Sequence, residues 1–152
     1  MSCNNHKRCF DEALKDLESI CKQKSLKLTN LRKKIFAIIY ENHSAVKAYD
    51  VLKKLQESKI SDKPPTIYRA LDFFIKNNIV HKIHSLNSYI VCSHLNKHYD
   101  CQLFICEKCK KIQEFCSPEL TNFIKNIGKN NKFEILPQIL EIKGFCKECN
   151  NV

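Results

Sequence analysis

The sequence predicts an α+β fold in two modules, the first mainly helical and the second a smaller module with strands. Only two of the 152 residues are glycine, and because tight turns between strands often need glycine, we expect helices to form much of the fold. Charge and cysteine divide along the chain: residues 1–86 hold 17 Lys+Arg against 9 Asp+Glu, whereas seven of the ten cysteines lie at or beyond residue 92. This division predicts a cationic module followed by a module built around thiol chemistry.

The composition also argues against several classes of protein. No run of about 18 apolar residues is present, so no segment is expected to span a membrane. The first residues carry charges where a secretion signal needs an apolar stretch, so we expect a cytoplasmic protein. Ten cysteines in that compartment indicate thiolate ligands for a metal rather than a framework of disulfide bonds.

Four segments of the first module carry apolar residues at helical spacing. They predict four helices. In chain order, the first covers about residues 10–24, the second begins after the N-cap Thr29, the third covers about 46–58, and the fourth begins at Pro64–Pro65. Two short strands, over 79–84 and 89–92, are expected to follow. Three helices followed by a β-hairpin form a winged helix, a helix-turn-helix variant whose late helix enters the DNA major groove. Residues 1–92 are therefore predicted to be a winged-helix DNA-binding domain.

The helix that begins at Pro64 separates an apolar face from a polar face. At about 100° per residue, its apolar side chains fall together: Ile67, Ala70, Leu71 and Phe74. The other side carries Tyr68, Arg69, Asp72 and Lys76. This arrangement predicts a core face and a face that offers a hydroxyl and two cations to an external partner. An ion pair between Arg69 and Asp72 on a solvated surface is the alternative.

The second module is predicted to combine strands with one helix. The expected elements are two strands, a helix and a last strand, at about 102–106, 111–115, 117–128 and 133–142. Pro137 should restrict the last strand to a sheet edge or a bulge. A polar linker over 93–100 is predicted to be the hinge, and residues 101–152 the small α/β domain.

Two C-x-x-C motifs give the strongest chemical signal in the chain. Cys106–Cys109 and Cys146–Cys149 each present two thiolates from one tight turn, so together they predict a tetrahedral zinc site of four cysteines with a structural role. Residues 110–145 separate the motifs, so this four-cysteine site would join the first strand of the module to its end. A thioredoxin-like redox motif is the alternative, but the βαβ setting that it needs is not predicted.

Further candidate metal ligands are scattered over the wing, the linker and the second module. They are His81, His84, Cys92, His94, His98, Cys101, Glu114 and Cys116. A site that draws mixed nitrogen, sulfur and oxygen ligands from two modules would couple metal occupancy to their arrangement. Such a site is typical of a sensor rather than of a structural centre.

The segments Lys63-Pro-Pro-Thr-Ile-Tyr-Arg-Ala-Leu-Asp-Phe73, Val80-His-Lys82 and Asn87-Ser-Tyr89, with the paired C-x-x-C motifs, resemble the ferric uptake regulator family. Within it, the zinc uptake regulator subgroup is the nearest match. The resemblance covers about residues 20–150. It implies a dimeric, metal-dependent DNA-binding repressor with a winged helix, a hinge and an α/β dimerisation domain.

The resemblance also implies two zinc sites per subunit. The structural zinc would bind Cys106, Cys109, Cys146 and Cys149, and the regulatory zinc would bind His81, Cys92, His98 and Glu114. The linker around His98 differs in length from the family pattern, so Cys101, Asp100 or His94 could replace His98 as a ligand.

On the DNA side, the resemblance places Tyr68 and Arg69 at base-reading positions, with Tyr49 as the other aromatic side chain near the bases. An arginine there suits bidentate hydrogen bonds to guanine, which contribute about 1–3 kcal/mol of discrimination. Lys63, Lys76 and Lys82 are expected to contact phosphates, which adds affinity and salt dependence without sequence choice.

The sequence therefore predicts a cytoplasmic homodimer that binds double-stranded operator DNA and represses zinc-acquisition genes when zinc is plentiful. No enzyme activity, membrane partner or small-molecule substrate other than the metal ion is expected; the H-x-E…P-C-x-x-C pattern of zinc deaminases is absent. An iron-, manganese- or peroxide-sensing member of the same family is the nearest alternative, although the Cys92 thiolate favours zinc. A zinc-ribbon interaction module without a DNA role is the alternative from another class.

Overall fold

The computed structural model describes residues 6–41, 44–60, 63–95, 101–136 and 139–150. The chain divides into two compact units, Met1–Asn96 and Lys97–Val152. The described residues of each unit contain one small β-sheet. The predicted hinge at 93–100 spans this division, and its residues 96–100 lie outside the described part of the chain.

The described residues of the first unit form four helices followed by a β-hairpin. The helices are α1 (His6–Gln23), α2 (Asn30–Tyr40), α3 (Ala48–Glu57) and α4 (Pro64–Lys76), and the hairpin strands are β1 (Val80–Ile83) and β2 (Ser88–Val91). The hydroxyl of Thr29 accepts a hydrogen bond from the Arg32 N–H at 3.3 Å, which confirms the predicted N-cap. The two prolines occupy the first turn of α4, as predicted.

A single apolar core holds these helices and the hairpin together. The fully buried side chains come from all four helices and include Leu17, Ile35, Phe36, Val51, Leu55, Leu71 and Phe74. The four apolar residues of α4 are buried as the helical spacing predicted, so the opposite face of α4 is directed outward. Burial of the core face thus decides which side chains of α4 can reach a partner.

Two helix starts in the first unit differ from the prediction. The first helix begins at His6 and not near residue 10. The third helix begins at Ala48 and not near Val46. Val46 instead pairs with Tyr89 of β2, and each residue donates its N–H to the other's carbonyl at 2.8 Å. These two hydrogen bonds attach the hairpin to the chain just before α3, which fixes the wing against the helix-turn-helix.

The second unit contains a three-stranded sheet and one helix. Its elements are β3 (Gln102–Cys106), β4 (Ile112–Phe115), α5 (Pro118–Asn130) and β5 (Leu140–Gly144). The strand order is β4-β3-β5, with β4 antiparallel and β5 parallel to β3. Ser117 caps α5 through a hydrogen bond from the Leu120 N–H to its hydroxyl at 3.2 Å.

The prediction for the last strand was wrong at its amino end. Residues 133–136 form no strand, β5 begins at Leu140, and Pro137 lies outside the described residues. Phe133 donates its N–H to the Gly128 carbonyl at 2.8 Å, so the chain turns back on α5 directly after the helix. A Cβ at Gly128 would lie 2.7 Å from the Ile135 side chain, so this close approach requires glycine.

The parallel pairing of β3 and β5 brings the carboxyl ends of these two strands together. Because parallel strands run in one direction, their carboxyl ends reach the same edge of the sheet. The register pairs Cys106 at the end of β3 with Gly144 at the end of β5. The segments that follow both strands, each containing a C-x-x-C motif, therefore start side by side.

The second unit exposes a large share of its apolar side chains. Among its described residues, six large hydrophobic side chains are exposed, namely Phe104, Phe123, Ile127, Phe133, Leu136 and Phe145. Phe104 of the central strand points outward and stacks on Phe115 of β4, with ring centroids 4.4 Å apart. Within the described residues, none of the helices has the length and apolarity needed to cross a membrane.

Candidate metal centres and DNA-facing surface

The two cysteine motifs meet at one edge of the second unit's sheet. The sulfur atoms of Cys106, Cys109, Cys146 and Cys149 all lie within 4.8 Å of one another. The Sγ atoms of Cys109 and Cys146, which belong to different motifs, are 3.7 Å apart. A tetrahedral zinc with Zn–S bonds of about 2.3 Å holds its sulfurs about 3.8 Å apart. The four cysteines therefore fit a closed zinc site.

Backbone hydrogen bonds form each turn around this cluster. Lys110 donates its N–H to the Cys106 carbonyl at 2.9 Å, and Cys149 donates to the Cys146 carbonyl at 2.8 Å. The N–H of Cys146 lies 3.4 Å from the Cys106 sulfur, which links the two turns. The N–H groups of Cys109 and Cys146 lower the pKa of the Cys106 thiol to about 6, so this sulfur favours the thiolate.

The pKa of the Cys149 thiol favours the binding of a cation in this cluster. A hydrogen bond with Cys146 is the main cause that raises the pKa of Cys149 to about 12, with burial and the nearby sulfurs adding to it. Once Cys106 is ionised, a further thiolate in the same cluster is costly unless a positive charge is bound. A divalent cation bound by the four sulfurs would remove this cost and displace the remaining protons.

Charged residues flank both turns. Lys111, which follows the first turn, forms an ion pair with Glu148 of the second turn, with Nζ 2.9 Å from one carboxylate oxygen and 3.2 Å from the other. Glu107 lies 3.6 Å from Lys143 and 3.9 Å from Lys110. Exposed pairs of this kind contribute little to stability, because water screens the charges. The lysines also offset the net charge of −2 that four thiolates and one Zn²⁺ would carry.

A pair of ligand-type side chains lies on the wing of the first unit. His81 of β1 is opposite Ile90 of β2, and Cys92 follows two residues after Ile90, so both side chains share one face of the hairpin. Their ligand atoms lie within 4.8 Å of each other. Both side chains are buried, with 6% and 5% of their surface exposed. An imidazole and a thiol in this arrangement fit two of the four positions around a zinc ion.

A second group of ligand-type side chains belongs to the second unit. The register of β3 and β4 pairs Leu103 with Glu114, and its continuation by two residues places Cys101 opposite Cys116 on the same face. The two Sγ atoms are 2.8 Å apart. The Glu114 carboxylate lies within 4.8 Å of both sulfurs. All three residues are candidate ligands in the sequence, but the pairing of the two cysteines follows only from the strand register.

The remaining sensor candidates are His84, His94, His98 and Asp100. His98 and Asp100 lie outside the described residues. His94 is half-buried, with Nδ1 3.0 Å from the Ser93 hydroxyl, and its backbone N–H donates to the Cys92 sulfur at 3.4 Å. His84 is exposed at the end of β1.

The predicted DNA-reading side chains lie on exposed faces of the first unit. Tyr68 on α4 is 52% exposed, Tyr49 on α3 is 71% exposed, and Arg69 is also exposed. Within the described part of this unit, Arg69 and Asp72 form no ion pair, so the alternative for Arg69 is not observed. The helix thus presents a guanidinium and a phenol to the outside.

Two other features bear on this face. Lys63 and Lys76 are exposed near the two ends of α4, and Lys82 on the wing is half-buried. The pKa of Tyr89 in β2 is raised by burial first and then by Tyr68 and Asp72, which places the wing tyrosine near the outer face of α4.

Comparison with known proteins agrees with this architecture and this residue pattern. The model of the Ferric uptake regulator family matches residues 23–143. The Zinc uptake regulation protein of Escherichia coli K12 is 32% identical over 147 residues, which cover 96% of this chain and 86% of that protein.

Two solved structures are also similar. A zinc uptake regulator complexed with zinc and DNA aligns with a TM-score of 0.85 and 31% identity, covering 91% of this chain and 93% of that one. The crystal structure of holo XcZur aligns with a TM-score of 0.85 and 30% identity, covering 94% and 99%. The chain therefore belongs to the ferric uptake regulator family.

Proposed function

We propose that this chain is a zinc-responsive transcriptional repressor that binds operator DNA as a zinc-loaded homodimer and controls genes for zinc uptake. The observation that carries the proposal is the buried His81–Cys92 pair, a nitrogen and a sulfur ligand built into the wing of the DNA-binding unit. Relatives named for zinc uptake regulation, one of them in complex with zinc and DNA, support it. The protein would act in the cytoplasm, where its thiols stay reduced.

One zinc per subunit is proposed to be structural and a second to be regulatory. The structural zinc would bind the four cysteines of the two C-x-x-C motifs. The regulatory zinc would bind His81, Cys92, His98 and Glu114, with Cys101, Asp100 and His94 as alternatives to His98. The thiol among these ligands favours zinc over iron or manganese, because soft sulfur suits Zn²⁺ better than ions that prefer oxygen.

The regulatory ligands would control DNA binding because they come from both units. Occupancy of such a site stabilises whichever arrangement of the units brings the ligands together. In a dimer, that arrangement would set the two α4 helices about one DNA turn apart, or a fixed multiple of it. Arg69 and Tyr68 would then read base edges, with Tyr49 beside them, and Lys63, Lys76 and Lys82 would bind phosphates.

This proposal includes no catalytic role. A zinc site closed by four cysteines offers no open coordination position for a substrate, and the regulatory ligand set would also fill its metal's coordination shell. A zinc-ribbon module without a DNA role would not need the excess of cations in residues 1–86 or the exposed Tyr68–Arg69 face.

Replacement of Cys92 by serine is expected to weaken operator binding at saturating zinc, because one ligand of the regulatory site is lost. A coupling of about 1–3 kcal/mol corresponds to about 5- to 150-fold in affinity. Fluorescence anisotropy would measure this with a duplex selected from a random-sequence pool by the zinc-loaded wild-type protein. The zinc of the four-cysteine site should be retained, since Cys92 belongs to the other unit.

The matched control for this variant is Cys21→Ser, which changes a buried cysteine of α1 that belongs to no ligand cluster in the described residues. It should keep the zinc dependence of the wild type. If Cys92→Ser binds the duplex with unchanged affinity and zinc dependence, the regulatory site is not where we place it.

Homodimerisation is proposed to use the exposed apolar surface of the second unit. Phe123 and Ile127 lie one turn apart on α5, and 63% and 48% of their surfaces are exposed. A second copy of this chain would cover them, because an apolar face of this kind on a small unit marks an interface. Phe123→Glu is therefore expected to shift the dimer to monomer by at least about tenfold in dissociation constant, measured by analytical ultracentrifugation.

A charge-matched control is available on the same helix. Asn122→Glu adds the same charge at an exposed position about a third of a turn from the Phe123–Ile127 face, and it should leave the dimer intact. Equal effects of both substitutions would assign dimerisation to another surface.

A further inference from the structure

Cys101 and Cys116 are neighbouring thiols, and the proposed function gives the two together no role. They extend the β3–β4 register by one residue beyond each strand end, and their Sγ atoms are 2.8 Å apart. Neither cysteine is in a disulfide. The Ser117 N–H donates to the Gln102 side chain at 3.1 Å, which ties the two strand ends together beside the pair.

We propose that this pair is a redox-active site that a peroxide oxidises to an intramolecular Cys101–Cys116 disulfide. Directly opposed residues of antiparallel strands have Cα atoms about 4.5–5.5 Å apart, within the range of about 4.4–6.8 Å found for disulfides. The sulfurs need to approach by only about 0.8 Å to reach a bond of about 2.05 Å. Side-chain rotation is sufficient for this, so the backbone can stay in place.

The two cysteines differ in access, and the difference assigns their roles. Cys116 is half-buried, whereas only 3% of the Cys101 surface is exposed. Cys116 therefore meets the oxidant first. Its thiolate attacks one peroxide oxygen, the O–O bond breaks, and hydroxide leaves to give the sulfenic acid of Cys116.

Cys101 then completes the reaction. Its thiol sulfur attacks the Cys116 sulfur, the S–O bond breaks, and water leaves as the S–S bond forms. In total the two thiols lose two hydrogen atoms, and hydrogen peroxide is reduced to two molecules of water. The buried position of Cys101 beside the sulfenic acid makes disulfide formation faster than further oxidation of Cys116.

Five of the other described cysteines are in settings that slow this chemistry. Cys21 is buried in the core of the first unit, where desolvation raises its thiol pKa and keeps it protonated. The four cysteines of the C-x-x-C motifs would be bound to zinc. The inference rests on the geometry of the second unit alone, so a failure of the proposed transcriptional role would leave it standing.

Mass spectrometry of the full-length protein tests this inference, after treatment with hydrogen peroxide and with zinc in the four-cysteine site but none added for the regulatory site. We expect the loss of two thiols with the zinc of the four-cysteine site retained, and a peptide pair joined through Cys101 and Cys116. Chymotrypsin is the suitable protease for a non-reducing digest, because it cuts after Phe104 and so separates Cys101 from Cys106. Reduction should restore both thiols.

Two variants make the test decisive. Cys116→Ser should slow peroxide-dependent thiol loss by about tenfold or more, whereas Cys101→Ser should leave a sulfenic acid on Cys116 that a dione reagent traps. Cys21→Ser, the control, should behave like the wild type. Thiol loss that is unchanged in Cys116→Ser, or a first disulfide within the C-x-x-C motifs with release of zinc, would overturn the proposal.

Discussion

Cys106→Ser is expected to release the tightly bound zinc and to unfold the second unit. The part of this unit that the structure describes has three short strands and one helix, and the cysteine cluster connects the ends of β3 and β5. Structural zinc sites contribute about 10–16 kcal/mol of binding free energy in small domains, and a unit of this size has little other stabilisation to replace it. Zinc analysis after dialysis against a chelator, with circular dichroism during heating, would measure both effects.

Cys116→Ser is the matched control, because it changes a cysteine of the same unit outside the two motifs. It should retain the zinc and the unfolding midpoint of the wild type to within a few degrees. A Cys106→Ser protein that keeps its zinc and its midpoint would show that the four cysteines do not form a structural site.

Arg69→Ala is expected to cause the largest loss of sequence-specific DNA binding among single substitutions in the first unit. One bidentate contact to guanine contributes about 1–3 kcal/mol, and a dimer makes the contact twice, so the loss should be about 2–6 kcal/mol. This corresponds to about 30-fold to 10⁴-fold in affinity. Arg69→Lys keeps the charge but not the planar fork, and it should recover only a small part of the loss.

The Lys76→Ala variant tests whether a phosphate contact has a different effect on DNA binding from the base contact of Arg69. It should weaken binding to specific and random duplexes by a similar factor and reduce the slope of affinity against salt. If Arg69→Ala instead weakens both duplexes equally, Arg69 contacts the backbone, and another residue reads the sequence.

The first unit was largely predictable from its sequence because local signals agreed with the packing. The cap at Thr29, the prolines at the start of α4 and the spacing of Ile67, Ala70, Leu71 and Phe74 each have a local physical cause. The start of α3 was misjudged because Val46 pairs with Tyr89, 43 residues away in sequence. Helical spacing carries no information about such a contact.

The second unit was less predictable, for two reasons. Phe123 and Ile127 fit the apolar stripe that predicted α5, yet both are exposed, because an apolar stripe looks the same whether a core or a second subunit covers it. The Cys101–Cys116 pair depends on a strand register that sequence spacing does not fix. The clustering of the four cysteines was predictable, because each C-x-x-C motif brings two thiols together by itself.

The central claim is that zinc at the regulatory site, and not the zinc of the four-cysteine site, controls DNA binding. The most direct measurement is the affinity of wild-type protein for its selected duplex, with and without added zinc, using protein in which zinc analysis confirms that the four-cysteine site stays filled. We predict that added zinc raises the affinity by about 5- to 150-fold and that Cys92→Ser loses this increase. Equal affinity of the two wild-type samples would contradict the account.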